Sequence, residues 1–190
     1  MHLPSASVAG VLGLGRIGRR TAELFAAIGF GQVIGHDRWV SDNRFESVGF
    51  DELFARCDVL SIHIPGNPDG SPVVAADQLS GMKEGSVIVN TARGSLIDDE
   101  ALAAALATGR PRIAALDVFA VEPPDLTEFS GVEDRLILSP HKAWYTEESQ
   151  ADLRRKSAEE ALRVIRGERP LNPVTIPSGD GRQRQDQESS

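Results

Sequence analysis

Residues 13–18 read GLGRIG. They follow the apolar run Val8–Leu12 directly and open an amphipathic helical pattern. A strand, a glycine-rich turn and a helix in that order build a cradle for a pyrophosphate. Gly13 permits the tight turn, Gly15 lets the backbone approach the phosphates, and Gly18 allows close helix–strand packing. The helix start offers N–H groups and a partial positive charge, with Arg16 and Ile17 at the tip. Asp37 ends the next apolar run, about 20 residues beyond the turn. A carboxylate there accepts hydrogen bonds from ribose hydroxyls and repels a 2′-phosphate, so NAD is expected over NADP. Arg38 pulls the other way, because an arginine in this loop can pair with that phosphate. The bland alternative is a glycine turn with a surface aspartate and no ligand.

The remaining pattern alternates. Short apolar runs occur at Val8–Leu12, Val33–His36, Val59–Ile64, Val87–Asn90, Ile113–Val118 and Leu136–Leu138. They are near-continuous, as strands covered on both faces should be. Between them lie helical patterns. Ile17, Thr21, Leu24, Phe25 and Ile28 fall on one helix face, with Gly29 as C-cap. Asp98 caps a helix carrying Ala101, Leu102, Ala105 and Leu106, which stops at Gly109. Phe50–Arg56 and Ala76–Met82 are shorter candidates, and a long helix is expected from about Glu147 to Arg166, with Leu153, Ala158, Ala161, Leu162 and Ile165 on one stripe. Gly66–Pro72 reads as a loop. This alternation implies an α/β fold with a doubly wound parallel sheet, a Rossmann fold. Residues 1–7 form a short lead, 8–174 one nucleotide-binding domain, and 175–190 a disordered tail without large apolar residues.

Composition narrows the function classes. The 190 residues carry a net charge of −8, which argues against a general phosphate-backbone binder such as a nucleic-acid protein. No apolar run approaches the ~20 residues of a membrane span. The N-terminus lacks the basic-then-apolar order of a signal peptide. The single cysteine, Cys57, excludes an internal disulfide and a multi-cysteine metal site, so no metal is expected. Cys57 itself reads as a small core residue. A cytoplasmic domain is the resulting expectation.

Polar residues gather at the carboxyl ends of the strands, where doubly wound sheets bind ligands. His63, Thr91 and Arg93, Asp117 and Glu122, and His141 all fall there. An arginine, a glutamate and a histidine on one sheet edge suit redox chemistry at a carbinol carbon. A histidine can accept or return the hydroxyl proton. A carboxylate on its other nitrogen fixes the tautomer, and an arginine fork can hold a substrate carboxylate. Each has a plainer reading. Arg93 suits a surface ion pair, Glu122 a solvated loop, His141 a loop position, and His63 the wall of a cofactor pocket without a chemical role.

These strings together resemble a known family. VLGLGRIG at 11–18, HD at 36–37, VNTARGSLIDDEAL at 89–102, ALDVFAVEPP at 115–124 and LSPHKAWYTEES at 138–149 are similar to the NAD-binding domain of the D-isomer-specific 2-hydroxyacid dehydrogenases. The resemblance covers Val8 to Pro173. It implies Arg93, Glu122 and His141 as the catalytic residues. It implies Asp117 against the nicotinamide and Thr91 lining the cofactor site. Ala143-Trp144-Tyr145 resembles the C-terminal-binding-protein subgroup, some of whose members are NAD(H)-responsive corepressors. That likeness implies Trp144 in the substrate pocket, with an aromatic plug between helix and sheet as the alternative. Lys142 departs from the small residue usual beside this histidine.

The family implies a separate substrate domain, built mostly from a longer N-terminal segment than the seven residues before Val8. The expectation is therefore the NAD-binding, catalytic half of a dehydrogenase, interconverting a 2-hydroxyacid and a 2-oxoacid, and poorly active as this polypeptide alone. The rival is a non-enzymatic NAD(H)-responsive interaction module. A homodimer is implied by the resemblance.

Overall fold

A computed structural model describes residues 2–171 and 173. The expected tail from residue 175 lies outside the described residues. Strands β1 (Val8–Leu12), β2 (Gln32–His36), β3 (Glu46–Ser47), β4 (Val59–Ile62), β5 (Val87–Asn90), β6 (Ile113–Leu116) and β7 (Leu136–Leu138) form one sheet in the order β3-β2-β1-β4-β5-β6-β7. Every pairing is parallel. The order reverses beside β1, the switch point at which such sheets open a crevice.

Register fixes where the polar residues stand. Leu12 pairs with His36 and Ile62. Ile62 pairs with Asn90, Asn90 with Leu116, and Leu116 with Leu138. Gly13, Asp37, His63, Thr91, Asp117 and Ser139 are each the next residue along, so they form one row past the carboxyl edge.

Successive residues of β1 point to opposite faces, and both faces are covered. Leu12 joins the larger core with Leu53, Phe54, Leu60, Ile62 and Ile88. Val11 joins a smaller cluster with Leu14 and Ala22. Burying each large side chain contributes about 1.5–3 kcal/mol. Helices α1 (Arg16–Ile28), α2 (Phe50–Arg56), α3 (Ala76–Ser80), α4 (Asp99–Thr108) and α5 (Glu147–Ile165) connect or follow the strands. Left-handed glycines end α1 at Gly29 and α4 at Gly109, and the Asp98 carboxylate accepts from Ala101 N at 3.0 Å.

Two expectations need correction. The apolar stripe of α1 is not its buried face: Gly18 and Ala22 are buried, whereas Ile17, Leu24 and Ile28 are exposed. Gly18 sits against the glycine turn, where a Cβ would strike Gly13 O, and of the stripe Phe25 packs against the Val11, Leu14 and Ala22 cluster. The two-residue edge strand β3 carried no apolar signal, because Glu46 and Ser47 are both exposed.

The chain divides into two compact units after Ala143. The second, from Trp144 on, contains α5, capped where Thr146 Oγ1 accepts from Ser149 N at 3.0 Å. No residue of α5 is buried, including those of the expected stripe. Among the described residues no helix is long and apolar enough to cross a membrane.

Candidate functional site

The glycine turn is tied to the end of β2. Gly13 N donates to His36 O at 2.8 Å, and Leu14 N to Asp37 Oδ2 at 2.7 Å. Leu14 is buried and packs over Gly35. Gly13 has a φ of +94°, and a Cβ on Gly18 would sit 1.8 Å from Gly13 O. Gly15 differs, since a Cβ there would meet nothing within 4 Å. The backbone at Gly15 is thus open to an approaching ligand. Helix α1 begins there with no side-chain cap and no acidic residue in its first turn. An open turn, an uncapped helix start and a carboxylate beside them fit a dinucleotide.

Asp37 is held by three backbone donors. Its Oδ1 accepts from Trp39 N at 2.8 Å and Val40 N at 3.0 Å, besides Leu14 N on Oδ2. Burial pushes its pKa up, but these N–H groups and the neighbouring His36 outweigh it and hold the carboxyl below its ordinary value. The group is therefore ionised at neutral pH, with lone pairs left for ribose hydroxyls. His36 faces away, its Nδ1 2.8 Å from Val48 O.

His63 sits under the turn. Its N–H donates to Leu12 O at 2.7 Å, and its Nε2 lies 2.9 Å from Ser61 Oγ. Burial lowers its pKa, favouring a neutral ring. At the end of β5, Asn90 closes the next turn: its Nδ2 donates to Arg93 O and its Oδ1 accepts from Ala92 N. Thr91 and Arg93 are exposed, and Arg93 Nη1 donates to Ala92 O at 2.6 Å. Gly94 lets this turn press against the segment after β6, because a Cβ there would overlap Phe119 at 1.8 Å. Asn90 was missed as a site-building residue; its spacing from Arg93 in the N-x-x-R string was the available signal.

The best-formed cluster lies past β6 and β7. His141 Nδ1 is 2.9 Å from Glu122 Oε2, and Glu122 Oε1 accepts from Phe119 N at 3.1 Å. The His141 bond is the main reason that the Glu122 carboxyl sits below its ordinary value. Both border a cavity of about 370 Å³ lined also by Asp117, Phe119, Pro123 and Leu138. His141 has a φ of +52°, the left-handed region. Asp117 holds it there. Its backbone O accepts from His141 N at 2.9 Å, while its carboxylate accepts from Ser139 Oγ, Lys142 N and Ala143 N. Asp117 is only 4% exposed. Burial opposes its ionisation, yet the Ser139, Ala143 and Lys142 donors and the nearby His141 bring its pKa below the ordinary value.

Arg93 does not line this cavity, although its turn packs on the cavity's Phe119 segment. Trp144 opens the second unit, half-exposed, with its ring 5.6 Å from that of Tyr145 and nearly perpendicular to it. Cys57 is fully buried, as expected, and burial pushes its thiol up to about 12.

Comparison with known proteins agrees with this geometry. The family model described as D-isomer specific 2-hydroxyacid dehydrogenase, NAD binding domain, matches residues 2–143. That is the first compact unit. D-3-phosphoglycerate dehydrogenase of Methanocaldococcus jannaschii is 38% identical over 175 residues, covering 89% of this chain and 33% of that protein. The crystal structure of a Treponema pallidum D-lactate dehydrogenase superimposes with a TM-score of 0.80 at 33% identity, over 92% of this chain and 57% of that one. The NAD-complexed 2-hydroxyacid dehydrogenase of Lactobacillus delbrueckii ssp. bulgaricus gives 0.76 at 28% identity, over 90% and 56%. The chain thus spans between a third and somewhat over half the length of these relatives. All three are dehydrogenases, and they lend no support to the corepressor-like subgroup. The chain belongs to the D-isomer specific 2-hydroxyacid dehydrogenases, and residues 2–143 are their NAD binding domain.

Proposed function

We propose that this chain is the cofactor-binding, catalytic half of a dehydrogenase that interconverts a 2-hydroxyacid and a 2-oxoacid. The observation that carries the reading is the 2.9 Å contact between His141 and Glu122 beside an apolar cavity, on the sheet edge that also bears the glycine turn. NAD supplies the hydride acceptor when bound. Gly13, Gly15, Arg16, Ile17 and Gly18 would hold its diphosphate, Asp37 its ribose, and His63, Thr91 and Asp117 the remaining walls. With Nδ1–H turned to Glu122, His141 presents a basic Nε2, which takes the hydroxyl proton as the carbinol is oxidised and returns it in reduction. Arg93 would hold the substrate carboxylate with the donors that Ala92 O leaves over. Lys142 would bias the pocket towards negatively charged substrates. The same reading makes the enzyme a cytoplasmic homodimer with no nucleic-acid or membrane partner.

These 190 residues are expected to bind NADH. Positioning and exclusion of water can supply roughly 7–11 kcal/mol of a barrier. The test is NADH oxidation with glyoxylate, hydroxypyruvate and pyruvate, by this chain and by a fusion to a relative's substrate domain. Turnover by the fusion, abolished in His141→Ala, is the expected result. Turnover undiminished in His141→Ala would overturn the assignment.

A further inference from the structure

The cavity beside the His141–Glu122 pair encloses about 370 Å³, and its apolar wall is made by Phe119, Pro123, Pro124, Leu138 and Pro140. The polar groups at its border are already bonded to one another. Ser139 Oγ donates to the Asp117 carboxylate, and His141 Nδ1 lies 2.9 Å from Glu122 Oε2. The backbone offers the cavity few donors. The prolines carry no N–H. Those of Phe119, Ser139 and His141 go to Glu122 Oε1, Leu116 O and Asp117 O. The two carboxylates at the border, Asp117 and Glu122, both have pKa values below the ordinary range and are ionised at neutral pH. The cavity is thus apolar in its wall and anionic at its edge.

We infer that this cavity takes the side chain of the substrate, and that the substrate is a 2-hydroxyacid or 2-oxoacid with a branched aliphatic or aromatic side chain and no second charge. The inference rests on the dehydrogenase reading and adds the substrate class to it. Carbon 2 of a 2-hydroxyacid carries a hydroxyl, a carboxylate and a side chain besides its hydrogen. In that reading the hydroxyl meets His141 and the carboxylate meets Arg93. His141 borders the cavity and Arg93 does not line it. The carboxylate therefore points away from the cavity, and the side chain is the group left to enter. Lys142 does not line it either, so its charge serves the carboxylate end. A phosphate or second carboxylate in the cavity would face two anions, with the N–H groups of Phe119, Ser139 and His141 already donated elsewhere. Burying a charge without a partner is strongly unfavourable. An isobutyl or benzyl group instead meets proline rings, a leucine and a phenylalanine, and each methylene buried there tightens binding about fourfold.

The experiment uses the whole chain with NAD⁺ added, a state in which 2-oxoacids cannot be reduced. The probes are pyruvate, 4-methyl-2-oxopentanoate and oxaloacetate. NMR titration follows the ring signals of His141 and the methyl signals of Leu138, assigned with His141→Gln and Leu138→Ile. 4-Methyl-2-oxopentanoate should bind about tenfold more tightly than pyruvate and move both sets of signals. Oxaloacetate should bind no more tightly than pyruvate. Leu138→Ala should cut the tenfold ratio to about threefold, and Leu138→Phe, which fills the cavity, to about one. Leu138 is 41% exposed on an edge strand, so both variants should keep the wild-type melting curve, which checks folding. If pyruvate and 4-methyl-2-oxopentanoate move the His141 signals with equal affinity while those of Leu138 stand still, the apolar cavity is overturned and the dehydrogenase reading stands. A preference for oxaloacetate, or a ratio unchanged in both variants, would overturn it equally. If none of the three acids moves the His141 signals, both fall.

Discussion

Asp37 and Asp117 stand in matching places, the first residues beyond β2 and β6. Each carboxylate gathers backbone N–H groups, and each is ionised against the cost of burial. Their partners differ. Asp37 binds its own loop at Trp39 and Val40, together with Leu14 of the glycine turn. Asp117 binds a segment more than twenty residues downstream, Ser139, Lys142 and Ala143, around a histidine in a left-handed conformation. One aspartate ties the glycine turn to its own loop. The other presets the backbone of a second side chain. The same residue type at the same sheet edge thus organises either its own turn or a distant segment.

The cradle side should break hardest, and in two separable ways. In Gly18→Ala the new Cβ would strike Gly13 O at 1.8 Å, so the turn must open. Stability and NADH binding should both fall. In Gly15→Ala the new Cβ meets nothing in the protein, so stability should stay within about 0.5 kcal/mol. The methyl would nonetheless stand where the diphosphate must approach. NADH affinity should drop about 100-fold, or about 2.7 kcal/mol. Fluorescence titration and urea unfolding of both variants measure the two effects. NADH binding retained in Gly15→Ala would mean that the diphosphate lies elsewhere.

The two aspartates can then be set against each other. Asp37→Ala should weaken NADH about tenfold and erase its preference over NADPH, since a charged hydrogen bond is worth about 1.5–3 kcal/mol. Asp117→Ala should cost about 2 kcal/mol of stability, because two backbone N–H groups lose a buried acceptor. It should also remove hydrogen-exchange protection at Lys142 and Ala143 while changing NADH affinity less than about threefold. The resemblance places Asp117 against the nicotinamide, whereas its carboxylate accepts from Ser139, Lys142 and Ala143 of the histidine loop. Equal losses of NADH affinity in the two variants would favour the nicotinamide contact and end the contrast.

The same contrast explains what could be read from the chain. Asp37 was legible because its spacing from GLGRIG follows the strand–helix–strand repeat, which also brings Leu14, 23 residues away, to its carboxylate. Gly13, Asp37 and Thr91 were legible in the row because each directly follows an apolar run, whereas the runs Val59–Ile64 and Ile113–Val118 contain His63 and Asp117, and it is the strand ends at Ile62 and Leu116 that set these two in the row. The bonding of Asp117 was not legible. It depends on how β7 delivers Ser139–Ala143 against β6, which neither local pattern nor composition encodes. The buried face of α1 was misread for a related reason. Helical periodicity finds the apolar stripe, but the tight turn brings Gly18 and Ala22 against the sheet and leaves Ile17, Leu24 and Ile28 outward. Glu46 and Ser47 pair as an edge strand through backbone register alone, and their side chains carry no signal of it.

The smallest expected effect is the most direct check on the proton-transfer pair. The His141 ring is the largest cause holding the Glu122 carboxyl below its ordinary value, followed by the Phe119 N–H. A depressed carboxyl contributes stability that is present above the ordinary glutamate range and lost as pH falls through the depressed value. The loss should therefore be confined to acid, below the ordinary glutamate range. Both side chains are substantially exposed, so solvent screens the pair and the stability change stays small. The titration itself is the sharper readout. In His141→Ala the Glu122 midpoint, followed by ¹³C carboxyl NMR, should rise towards the ordinary value, with the Phe119 bond retaining part of the shift. A midpoint that does not move would show that the pair does not form in solution. The proposed base would then lack its partner. If the midpoint moves, Glu122 is ionised throughout the neutral range and keeps Nδ1 protonated, so that Nε2 is the nitrogen that accepts the hydroxyl proton. Glu122→Gln should then slow turnover in the active fusion roughly 100-fold, the lower end of what a positioned acid–base pair contributes, while leaving NADH affinity unchanged.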